Sequence, residues 1–310
     1  MCGIVGLLVK KAALREQLGE LMLPMLIGMT ERGPDSAGLA VFTAPVADGR
    51  RKFSLYSGAR NFDWIAFEHA ARQALGDDSE VSVQANHGVL ETAAPPPQVT
   101  AWVRTAYPRL HVLSAGQFID LYKDIGAPAE VATRYDFRNL TGTHLVGHTR
   151  MATESAVTPD RAHPFTAGED WCLVHNGSLS NPYQIRRKLE PLGIAFETDN
   201  DTEAACRYFE WRMREGDDLE TAIHKGFEEL DGFYTFLMGT KDELALVRDA
   251  FACKPAVVAE TDDYVAISSE FRSLVEAQPG KRGGAQHRSS MRAASPRGPR
   301  CGALEVAQDG

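Results

Sequence analysis

The second residue of this 310-residue chain is a cysteine, followed by Gly3 in the apolar run CGIVGLLV. Removal of an initiator methionine ahead of such a small residue would leave a thiol and a free α-amine on one carbon. A terminal amine titrates near pH ~8. It can take the thiol proton directly or through one water, so nucleophile and base come from a single residue. No catalytic histidine is then needed, and Gly3 permits close backbone approach at the reacting centre. A cysteine deeper in the same run would read as ordinary strand packing. Cys2 differs because it stands at the one position where an amine can serve it.

Other reactive side chains gather in short polar strings: RGPDSAG at 32–38, GHTRMAT at 147–153, HNGSLSN at 175–181 and TDNDTE at 198–203. His144, His148, His163 and His175 are close in sequence, but their spacing fits no metal-ligand pattern, so no metal is expected. The five cysteines form no CxxC pair and are odd in number, which argues against a disulfide framework. Neither a GxGxxG nor a P-loop string is present, so no cofactor is expected on this chain. A net charge of -9 lacks the basic footprint of a nucleic-acid binder. With no apolar run long enough to span a bilayer and no secretory leader pattern, the expected location is cytoplasmic, away from any membrane.

These residues need elements to position them. Residues 2–9 read as a buried strand. Leu14, Leu18, Leu21, Met22, Met25, Leu26 and Met29 fall at helical spacing, with Pro24 expected to break or kink that helix. Short strands are expected around 38–43 and 52–58, and a helix at 62–75. A stretch opening with the proline-rich ETAAPPPQ, about 91–140, reads as an insertion with helical pieces near 98–106, 117–125 and 128–134. Strands return at 142–150 and 171–177. Helices follow at 182–191, 201–214 and 218–230, then four short strands across 232–268. Strands grouped together with helices at the ends indicate α+β packing. From Glu276 the composition turns basic and rich in Gly, Ser and Pro. That predicts a domain over 1–275 and a disordered tail over 276–310, the latter consistent with a frameshifted or truncated end.

MCGIVG and the four polar strings, taken in order over about residues 2–275, resemble the class II glutamine amidotransferases, which are Ntn hydrolases. The resemblance implies a four-layer αββα sandwich. It also implies hydrolysis of L-glutamine to glutamate and ammonia through a thioester on Cys2. Arg150 matches the arginine that grips the substrate carboxylate, with Thr153 alongside, and a planar guanidinium fork suits that task. Asp201 matches the group that takes the α-ammonium, with N-capping as its plain alternative and Asp199 as the neighbour most easily confused with it. The Asn176 side-chain amide and the Gly177 N–H match the oxyanion donors, although Asn-Gly is by itself a hairpin-turn signal. Arg32 is read as a group orienting the Cys2 region, against a structural ion pair.

The family passes ammonia to an acceptor domain, and none is legible after residue 275, so the acceptor is expected on another chain. The variants in these strings look most like stand-alone glutaminase subunits of the glutamate synthase or N-methylglutamate synthase type. Their synthase partner would hold FMN and iron–sulfur clusters. The alternatives are a glutaminase for a purine or amino-sugar pathway, a non-catalytic glutamine-binding module, or an Ntn hydrolase of another amide.

Overall fold

The computed structural model describes residues 2–59, 61–151, 158–276, 291–294 and 302–304. Two antiparallel sheets face each other. The first joins β1 (Gly3–Val9), β2 (Ser36–Phe42), β7 (Ile119–Ile125), β8 (His144–Arg150), β13 (Val257–Glu260) and β14 (Tyr264–Ser268) in the order β13-β14-β1-β8-β2-β7. The second joins β9 (Phe165–Thr166), β10 (Trp171–Leu179), β11 (Gly232–Thr240), β12 (Leu244–Arg248) and two short edge strands, β15 (Met291–Ala294) and β16 (Gly302–Leu304).

Strand alternation sorts the side chains into layers. Ile4 and Leu8 of β1, Ala40 and Phe42 of β2, and Val146 of β8 meet Cys172 and Val174 of β10 and Leu237 of β11 between the sheets. Their neighbours Val5, Leu7, Leu39, Val41 and Leu145 face outward and are covered by α1 (Leu18–Ile27) and α4 (Pro128–Arg134). The opposite faces of β10 and β11, with Trp171, Leu173, Tyr234 and Phe236, are covered by α5 (Pro182–Leu189), α6 (Asp201–Arg214) and α7 (Leu219–Glu229). The result is helix, sheet, sheet, helix, the αββα arrangement. Among the described residues no helix is long and apolar enough to cross a membrane.

Three local expectations are corrected. Of the break or kink expected at Pro24, the break does not occur: the helix α1 continues through that residue. It gives up one backbone hydrogen bond because Leu18, Met22, Met25 and Leu26 all bury against the first sheet. Residues 117–125, expected as helix, form strand β7. Ile119, Leu121 and Lys123 alternate inward against Asp120 and Tyr122, a period of two hidden in a charged stretch. The stretch 91–140 therefore divides, since β7 and α4 belong to the main body. What stands beside the sandwich is residues 51–116: β3 (Arg51–Ser57), α2 (Trp64–Leu75), β4 (Glu80–Gln84), β5 (His87–Thr92), α3 (Pro96–Ala106) and β6 (Leu110–Gly116). This module has its own sheet, β4-β5-β3-β6, and its own core of Phe53, Leu55, Trp64, Phe67, Leu90, Val99 and Val103. Apart from the two edge strands, the tail beyond Glu276 lies outside the described residues.

Candidate active site

The first sheet brings Cys2 and Arg150 to one edge of the inter-sheet space. Register pairs Gly3 with Thr149, so Cys2 lies beside Arg150. The alternation that turns Ile4 and Leu8 inward turns Cys2 the same way, as it turns Arg150 after Val146 and His148. Gly3 must be glycine: a Cβ there would stand 2.8 Å from Thr149 Oγ1 and 3.0 Å from Met29 Cβ. The Cys2 sulfur accepts a hydrogen bond from the Met151 N–H. Burial pushes the thiol above its ordinary value, against the opposing pull of that N–H and of the Arg150 and Arg32 cations.

Arg32 reaches the Cys2 backbone directly. Its Nε donates to the Cys2 carbonyl at 3.0 Å, and its Nη1 to Glu270 Oε1 at 3.1 Å. Arg32 thus both touches the Cys2 backbone and makes an ion pair. One residue earlier, Ser269 pins the start of β1: its Oγ accepts from the Ile4 N–H and its own N–H donates to the Ile4 carbonyl. Glu270 and Ser269 were not found from sequence, because they lie more than 200 residues from their partners and no local pattern marks them.

Asn176 and Gly177 approach from the second sheet. They lie inside β10, paired across to Thr235 and Tyr234, and not in a hairpin turn. Asn176 follows Cys172 and Val174 on the inter-sheet face. It is buried, and among the described residues its Nδ2 has no hydrogen-bond partner. Gly177 adopts a φ of +147°, and a Cβ there would fall 2.1 Å from the Phe233 carbonyl oxygen. The glycine is what lets this strand pass close to β11 beside the amide.

At the start of α6 the two candidate aspartates separate. Asp201 Oδ2 accepts the Leu179 N–H at 3.0 Å, which ties the helix start to the end of β10. Burial pushes its carboxyl up, but hydrogen bonds from His175, Leu179 and Thr202 hold it below the usual aspartate value. Asp199 instead faces solvent and pairs with Arg161 at 2.7 Å. The capping role belongs to Asn200, whose side chain accepts the Thr202 N–H. Thr153 lies outside the described residues.

The histidines set aside from sequence form a buried group here. His148 Nε2 donates to the His175 carbonyl at 3.0 Å, joining the two sheets. The His148 and His163 rings stack with centroids 4.0 Å apart. His163 Nε2 and His175 Nδ1 both meet Thr202 Oγ1, at 2.8 and 3.1 Å. Burial holds His148 down to about 3 and His163 well below its ordinary value, so both are neutral. Among the described residues no group of three or more His, Cys, Asp or Glu is placed to hold a metal ion.

Residues 148–276 match a family described as a glutamine amidotransferase domain. The glutamine amidotransferase-like protein GlxB of Rhizobium meliloti is 48% identical over 276 residues, covering 89% of this chain and 91% of that protein. A putative glutamine amidotransferase of Methanothermobacter thermautotrophicus is 32% identical over 286 residues, covering 89% of this chain and 93% of that protein. Among solved structures, glutamine phosphoribosylpyrophosphate amidotransferase from B. subtilis superimposes with a TM-score of 0.62 at 17% identity, over 99% of this chain and 50% of its own. That last likeness bears on the fold alone, and this chain spans about half its length.

Proposed function

The chain belongs to the class II glutamine amidotransferases, and on that premise we propose that it is a glutaminase subunit working through Cys2. The observation that carries this reading is the meeting of two sheets. One presents the half-buried Cys2 beside Arg150, and the other presents a buried Asn176 amide with no partner among the described residues. A native fold rarely leaves a buried donor unpaired without a purpose.

With Met1 removed, the α-amine of Cys2 takes the thiol proton as sulfur attacks the glutamine amide carbon. The negative oxygen of the tetrahedral intermediate is received by Asn176 Nδ2 and the Gly177 N–H. Donors fixed in place beforehand are worth about 3–4 kcal/mol of barrier each. The amine then returns the proton to the departing ammonia. Water attacks the γ-glutamyl thioester through a second intermediate in the same hole and releases glutamate. Arg150 grips the substrate carboxylate and Asp201, ionised and aimed from the helix start, grips the ammonium. Thr153 joins Arg150 at the carboxylate. Arg32, on the Cys2 carbonyl, and Gly3 hold the nucleophile's backbone in place.

We take residues 1–275 as the glutaminase unit, acting in the cytoplasm. The ammonia acceptor is a synthase subunit of the glutamate synthase type, bearing FMN and iron–sulfur clusters, while this chain itself holds no cofactor. Glutamine hydrolysis by wild type and Cys2→Ala, with and without that subunit, tests the reading, together with an intact mass to show whether Met1 is absent. Turnover should vanish in Cys2→Ala with the fold unchanged. An undiminished rate would falsify the mechanism.

A further inference from the structure

Arg150, Asn176 and Asp201 sit on three separate segments, β8, β10 and the start of α6. Each has a neighbour in one buried polar relay. His148, two residues before Arg150, donates to the backbone carbonyl between His175 and Asn176. His175 meets Thr202 at 3.1 Å, and Thr202 adjoins Asp201, its Oγ1 lying 3.4 Å from Asp201 Oδ1. His163 closes the ring, stacked on His148 and 2.8 Å from the same hydroxyl.

The loop bearing His163 is itself held from two sides. The buried Lys123 ammonium donates to the Ala162 carbonyl at 2.9 Å and the Pro164 carbonyl at 3.3 Å. The His163 carbonyl lies where a Cβ on Gly38 would be, 2.0 Å away, so only glycine admits the loop. His163 is thus a fixed post and not a mobile side chain. Thr202 is 1% exposed, and its hydroxyl touches the post at His163 and β10 at His175 while standing beside Asp201 at the start of α6.

We propose that Thr202 is a positioning residue, whose buried hydroxyl between His163 and His175 sets the spacing of Asn176 and Asp201 and so the fit of glutamine's two ends. This rests on the glutaminase reading above. A hydroxyl has one proton to give and two lone pairs. It meets two imidazole nitrogens at once, accepting from one while donating to the other or to Asp201. Valine has the same shape and can do neither, so both rings would lose their reference point. Misplacement by an ångström at a reacting centre is enough to slow chemistry strongly.

The test uses 6-diazo-5-oxo-L-norleucine, an electrophilic glutamine analogue, with labelling followed by intact mass on the full chain. Wild type should label saturably and Cys2→Ala not at all. Thr202→Val should need about tenfold more analogue for half-saturation and also label more slowly when saturated, since a misplacement of this size has effects of that order. Thr202→Ser, which keeps the hydroxyl, should recover to within about threefold of wild type. Labelling of Thr202→Val at the wild-type efficiency overturns the inference, and so does a Thr202→Ser variant no better than Thr202→Val. Failure of both Thr202→Val and Thr202→Ala to fold overturns it as well, by making the hydroxyl a folding determinant. Absence of labelling in wild type, or equal labelling of Cys2→Ala, removes the glutaminase reading itself, a result distinct from the others.

Discussion

Two buried polar clusters lie on either side of the first sheet's far strands, and they are built on opposite terms. Around Asp124 every group finds a partner. Its Oδ1 accepts the Ile125 N–H, while its Oδ2 accepts Arg134 Nη1 at 2.5 Å and the Tyr135 hydroxyl at 2.6 Å. Tyr135 also meets Asn86, and His87 packs edge-on to its ring. Around Cys2, by contrast, Asn176 Nδ2, Arg32 Nη2, His175 Nε2, His163 Nδ1 and Ser36 Oγ are buried without a partner among the described residues. An unmet buried donor or acceptor costs about 1–3 kcal/mol. The first cluster therefore stabilises the joint between the 51–116 module and the body. The second leaves these groups unmet among the described residues, and a ligand bound beside Cys2 would complete them.

Asn176→Ala should separate the two most sharply. If the amide waits for an oxyanion, kcat for glutamine should fall about 10²–10³-fold. The melting temperature should hold or rise, because a buried unpaired amide has been removed. A fall in stability with kcat intact would mean that Asn176 belongs to the architecture and not to the chemistry. The mirror experiment is Asp124→Ala, which strips the acceptor from Arg134, Tyr135 and the Ile125 N–H together. It should lower unfolding stability by about 2–3 kcal/mol, discounted because Arg134 is partly exposed, and leave glutamine KM and kcat unchanged. Equilibrium urea unfolding beside steady-state kinetics reads both quantities.

The sequence was most legible where chemistry is local. Strand alternation alone puts Cys2, Arg150 and Asn176 on facing surfaces, and the strings that mark them are contiguous. It was least legible where partners are distant. Nothing near Arg32 announces Glu270, and nothing in HNGSLSN announces that His175 will meet Thr202 of a different string. The string TDNDTE singles out Asp201, but it does not announce that Asp201 meets the Leu179 N–H while Asp199 meets Arg161. The module at 51–116 escaped for another reason. Its edge strand β4, EVSVQ, does alternate, but it is only five residues long and largely exposed, so it carries little apolar signal, and β7 beyond it hides its alternation behind buried Lys123.

Arg150→Lys is a milder probe of the site. A lysine keeps the charge but offers a point ammonium in place of two parallel donors. The KM for glutamine should rise about tenfold or more, the loss of one good charge-assisted contact, with kcat falling less. Equal affinity would mean that the carboxylate is held elsewhere, and it would remove Arg150 from the proposed substrate grip while leaving Cys2 in place.

Tyr135→Phe has the smallest expected effect and tests whether the two clusters are independent. The phenol is buried, and both burial and the adjoining Asp124 carboxylate raise its pKa, so it stays protonated and can donate only once. That proton goes to Asp124, the charged acceptor, and the Asn86 amide can turn to offer an N–H to the phenol oxygen instead. Asp124 keeps Arg134 and the Ile125 N–H when the hydroxyl is lost. The cost should therefore be about 1 kcal/mol of unfolding stability, with glutamine kinetics the same as wild type. A kinetic change from so small a cut would mean that the module joint is felt at Cys2. The paired cluster would then be part of the working site, and the contrast drawn between the two would fail.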